Sequence, residues 1–112
     1  MTFRAGWIDD PELGVRVLVL NDVDSNETLE LQRGNQDPTG EKAPDNDVCC
    51  LVRNGAAVVY GGVETFDLSA ARLTLTLTAD AAAILELPLN VAYDLDPEGL
   101  GLVQQRLQEI LT

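Results

Sequence analysis

Asp22-x-Asp24-x-Asn26 comes nearest, in residue type and spacing, to a site that could do chemistry. Oxygen-bearing side chains at alternate positions are how a calcium loop opens. The rest of such a loop is absent. Glu27 stands where the sharp turn requires glycine, and Arg33 stands where the bidentate glutamate belongs. The stretch reads as a solvated turn. Asp45 and Asp47 are a carboxylate pair of the kind that acid–base catalysis uses, but no neighbouring residues place them in an apolar cleft. The chain has 0 histidines. Ser-His-Asp and Cys-His nucleophile systems are thereby excluded, together with the commonest metal ligand. Gly61-Gly62 and Gly99-x-Gly101 lack the third glycine and the lysine of phosphate-binding loops. Cys49 and Cys50 are adjacent, so in a strand they point to opposite faces, which disfavours a bridge between them and reads as two reduced thiols. The expectation is a protein with no catalytic residues, no metal site and no cofactor.

Charge narrows the choice of partners. The 112 residues hold 19 acids and 7 bases, a net charge of −12. Such a field repels nucleic acid and anionic membranes, favours basic protein partners and also keeps a small protein soluble. The bases are scattered singly, with no basic-aromatic patch. The start, MTFRAGWIDDPEL, lacks the basic and then apolar pattern of a signal peptide, and no apolar run approaches the ~20 residues of a membrane helix. The expected compartment is the cytoplasm.

The elements that would position any site follow from periodicity. Thr2 to Asp10, with Phe3 and Trp7, reads as a first strand ended by the turn Asp9-Asp10-Pro11-Glu12. VRVLVL after Gly14 reads as a strand covered on both faces or lying beside a sheet edge. Glu27 to Arg33 alternates, with Leu29 and Leu31 inward and Glu30 and Gln32 outward. Val48 to Arg53 and Ala57 to Tyr60 flank Asn54-Gly55, a strong hairpin signal. Gly61-Gly62 allows a bulge or sharp bend. Leu73, Leu75 and Leu77 share one face of the next strand. Thr78 then caps a short alanine-rich helix, with Ile84 and Leu85 as its apolar side. Leu89, Val91, Tyr93 and Leu95 share a face of a further strand. Asp96-Pro97 opens the last helix, whose stripe of Leu100, Val103, Leu107 and Ile110 is expected to be buried against a sheet. The sum is one α+β domain over residues 1–112: a mostly antiparallel sheet of six or seven strands and two helices, the C-terminal one packed on the sheet.

From about Thr28 onward the order of these segments resembles the immunity protein 10 family of bacterial polymorphic toxin systems. The resemblance is carried by LELQR at Leu29 to Arg33, then Tyr60-Gly61-Gly62-Val63, and then Arg72-Leu73-x-Leu75-x-Leu77. The Ala81-Ala82-x-x-Leu85 helix, the strand Val91 to Leu95 and the helix to Ile110 complete it. What the resemblance implies is a small cytoplasmic protein that binds and neutralises a cognate toxin domain, encoded next to it. It implies no toxin-binding residue. A non-catalytic acidic binding or regulatory protein with another partner remains the alternative, and homodimerisation is left open. The segment 34–47, GNQDPTGEKAPDND, is long for a loop and its sole apolar residue is Ala43. Loops on rigid scaffolds often carry binding, so its acids Asp37, Glu41, Asp45 and Asp47 are the candidate partner-binding residues.

Overall fold

The computed structural model describes residues 2–12, 14–22, 24–34 and 49–111. Five strands follow one another as an antiparallel meander in chain order: β1 (Arg4–Asp10), β2 (Val15–Asp22), β3 (Glu27–Gly34), β4 (Cys50–Arg53) and β5 (Ala57–Tyr60). A second, three-stranded antiparallel sheet holds β6 (Val63–Ser69), β7 (Arg72–Leu77) and β8 (Asn90–Asp94). Helix α1 (Ala79–Leu85) connects β7 to β8, and α2 (Pro97–Leu111) ends the chain. The α+β class and the packed C-terminal helix are as the sequence predicts. In place of a single sheet of six or seven strands, the described residues form eight strands in two sheets.

The break between the sheets lies at Gly61-Gly62. Both residues have positive φ, +73° and +96°, where glycine alone is unstrained. A Cβ on Gly62 would also meet the Ala81 Cβ of α1 at 2.6 Å. The Thr78 amide donates to the Gly62 carbonyl at 2.8 Å, so the same joint holds the start of α1. Strand β6 has no counterpart in the sequence reading, for two physical reasons. An irregularity between Val63 and Thr65 shifts the register and breaks the apolar alternation. Its hairpin to β7 turns through Ala70-Ala71 at φ +52° and +63°, without the Asn or Gly that announces such a turn.

Capping follows the residue types. The Ala81 amide donates to Thr78 Oγ1 at 3.1 Å, and the Gly99 amide donates to Asp96 Oδ1 at 2.6 Å. The core is continuous between the sheets. Leu18, Leu20, Leu31 and Leu51 meet Leu73, Leu75 and Tyr93, with Leu85 of α1 and Val103, Leu107 and Ile110 of α2 closing it. Helix α2 lies across β1, β2 and β3, while α1 packs on β5. Three residues on the expected apolar faces are not fully buried. Leu100 is half-buried, because Gly99 occupies the closest approach, within 3.2 Å of the Ala5 backbone for an added Cβ. Ile84 is 51% exposed, since α1 turns Ala81, Ala82 and Leu85 inward. Leu89 precedes β8 and is 52% exposed.

Candidate partner-binding surface

Asp37, Glu41, Asp45 and Asp47 lie outside the described residues, as does nearly all of the 34–47 segment. The Asp22 turn is a local structural device. Asp22 is buried and accepts from the Asp24 amide at 3.1 Å and the Ser25 hydroxyl at 2.8 Å. Among the described residues no group of acids and cysteines could hold a metal ion. A depression of about 580 Å³ is open and is lined by Arg4, Ala5 and Asp96 to Gly99. One Asp96 oxygen there is already engaged by its helix cap.

Polar groups that are well connected serve as joints. Arg53 at the end of β4 bonds both oxygens of Glu27, at 2.7 and 3.3 Å, and donates to the Leu85 and Glu86 carbonyls at the C-terminus of α1. Those carbonyls have no partner within their own helix, so the guanidinium caps the helix while pairing with the carboxylate. The Arg53 hydrogen bond holds the Glu27 carboxyl below its ordinary value, against the opposing effect of burial. Tyr93 is buried nearby, and burial first, then the Glu27 charge, push its hydroxyl upward. Cys49 points into the core, and burial, then the neighbouring Cys50 charge, raise its thiol to about 12. Both cysteines are buried, and they are not bridged to one another.

The surface with unassigned side chains is the outer face of the five-stranded sheet. Cross-strand partners in an antiparallel sheet point to the same face. Trp7, Leu18, Leu31, Leu51 and Val59 therefore share the inner face, where Arg106 of α2 sits 4.9 Å over the Trp7 ring. On the opposite face two rows cross all five strands. One runs Ile8, Val17, Gln32, Cys50, Tyr60, and the next runs Gly6, Val19, Glu30, Val52, Val58. At about 4.8 Å between strands, each row spans roughly 19 Å. Ile8, Val58 and Tyr60 are exposed at 51%, 46% and 60%, whereas Val17, Cys50 and Val52 are buried between them. Of this face, the outward placement of Glu30 and Gln32 on β3 was legible in the sequence. The alignment of five strands was not.

The sequence model of the family described as Immunity protein 10 matches residues 2–100. The chain belongs to the Immunity protein 10 family. The match takes in β1 and β2, which the sequence resemblance had left aside, and ends inside α2. No curated protein and no solved structure matches the chain. Among the described residues, no helix of this Immunity protein 10 member is long and apolar enough to cross a membrane.

Proposed function

We propose that this chain binds a cognate toxin domain and neutralises it, as a single domain over residues 1–112 with no catalytic activity of its own. The observation that carries this reading is the family match over residues 2–100. Three sequence features support it. The chain has 0 histidines, no recognisable nucleophile or phosphate motif, and a net charge of −12. A chain of that charge attracts a basic domain and speeds encounter with it. Asp37, Glu41, Asp45 and Asp47 contribute to that steering, and the protein acts in the cytoplasm, where the toxin would otherwise damage the producing cell.

The test is co-expression with the toxin gene encoded next door, reading growth and complex formation. Protection and a stable complex are expected. Association should slow as salt rises while dissociation changes less, because screening acts on long-range attraction. Replacing the four acids by Asn and Gln should lower the on-rate and leave the domain folded. Neither protection nor a complex with the unaltered protein would refute the immunity reading. An unchanged on-rate at low salt in the quadruple variant would refute the steering role alone.

A further inference from the structure

The two rows on the outer face of the five-stranded sheet surround a carboxylate. Glu30 sits mid-row on β3, between Val19 and Val52. It accepts from Gln32 Nε2 at 3.2 Å, and among the described residues no cation lies within ion-pair reach of it. Arg16, Arg33 and Arg53 fall on the inner face by register, and Arg4 lies two strands away in the adjoining row. A half-buried carboxylate with no counter-ion among the described residues, set among aliphatic side chains, is complementary to a basic side chain brought by a partner. Ile8, Val58 and Tyr60, each two strands from Glu30 on the edge strands β1 and β5, flank it with exposed apolar and aromatic area, the composition of an interface rather than of ordinary surface.

The other sheet presents a contrasting outer face. Its rows run Thr65, Thr76, Asn90 and Asp67, Thr74, Ala92, and then Ser69, Arg72, Asp94. There the cation is already paired, Arg72 with Asp94 at 2.7 Å, and Thr76 donates to Asn90 at 2.9 Å. That face is suited to water.

We propose that the outer face of the five-stranded sheet is the docking surface for the toxin domain. The toxin presents an Arg or Lys to Glu30 and seats apolar side chains against Ile8, Val58 and Tyr60. This rests on the immunity reading above and deepens it by naming the surface and the partner's chemistry.

The experiment measures binding of the purified toxin domain encoded by the neighbouring gene. It compares the unaltered chain with Tyr60→Ala, Glu30→Gln and, as a control on the other sheet, Thr74→Ala. Circular dichroism and thermal midpoints establish that each variant is folded. Tyr60 is 60% exposed, so its truncation leaves the fold intact and is the decisive variant. Tyr60→Ala should weaken affinity about 30-fold or more, the effect of losing an interface anchor. Glu30→Gln should weaken it at least about tenfold and reduce its salt dependence. Thr74→Ala should bind as the unaltered chain does. If the unaltered chain fails to bind the toxin domain, the immunity reading itself falls. If it binds and both Tyr60→Ala and Glu30→Gln leave affinity unchanged, the docking surface is refuted while the immunity reading stands. A dimer of the unaltered chain that Tyr60→Ala splits, with toxin affinity unchanged, would make this an interface between copies and overturn the proposal.

Discussion

Gly62→Ala should be among the most costly single-methyl changes in this protein, and its cost divides into two separable parts. The first is backbone strain. Gly62 has φ +96°, outside the regions a Cβ tolerates, and holding alanine there costs at least about 1–2 kcal/mol. The second is a collision. The new Cβ would lie 2.6 Å from the Ala81 Cβ, and neither atom can rotate away because both are fixed to backbone. Overpacking of this kind costs roughly 1–3 kcal/mol. The total is about 2–5 kcal/mol, a large share of the ~5–15 kcal/mol that stabilises a typical domain. Gly61→Ala isolates the strain, since Gly61 has φ +73° and nothing within 4 Å of an added Cβ. It should cost only about 1–2 kcal/mol. Ala81→Gly removes the other methyl, at about 1 kcal/mol of helix propensity when made alone. Combined with Gly62→Ala it should be less than additive, with a coupling of roughly 1–3 kcal/mol. The assay is urea unfolding of the single variants and the double variant, with free energies extrapolated from midpoints at constant m. A Gly62→Ala cost no larger than that of Gly61→Ala, or additivity in the double variant, would refute the reasoning.

Other substitutions and titrations probe the remaining joints. Leu107→Ala, at a core position of α2 that is 3% exposed, should cost roughly 2–5 kcal/mol in the same urea assay. Arg53→Met removes the partner of Glu27 and the donor to the Leu85 and Glu86 carbonyls, and should cost roughly 1–3 kcal/mol near neutral pH. Because the Glu27 carboxyl is held below its ordinary 4.5, its contribution is present above that pH and is lost as pH falls through the lower folded value. The gap between the unaltered protein and Arg53→Met should therefore narrow below pH 4.5, as read by urea midpoints across the acid range. Cys49, buried and with its thiol raised to about 12, should resist alkylation in the folded protein at mildly alkaline pH and react once the chain is unfolded in urea. Rapid labelling of Cys49 without unfolding would contradict its placement in the core.

Much of this protein was legible in its sequence because the decisive signals are local. The alternation of Leu73, Leu75 and Leu77, the Asn54-Gly55 turn, and the caps at Thr78 and Asp96 each depend on a few neighbouring residues. The absence of histidine likewise needs no coordinates to rule out histidine-based catalysis, and the charge of −12 by itself disfavours nucleic acid as a partner. The resemblance to the Immunity protein 10 family was visible from Thr28 onward, whereas the family match begins at residue 2. Several features were decided only by the tertiary structure. Ala70-Ala71 adopts positive φ because the pairing of β6 with β7 holds it there, and no residue type announces it. Gly99, and not Leu100, takes the tightest contact of α2, because the position of β1 sets how closely the helix approaches. The candidate docking face follows the same logic. Ile8 and Tyr60 are 52 positions apart in the chain, and only the register of five strands puts them in one row with Glu30 beside it. Periodicity assigns a side chain to a face of its own strand, but which strands lie side by side is settled by long-range packing, to which no single segment holds the key.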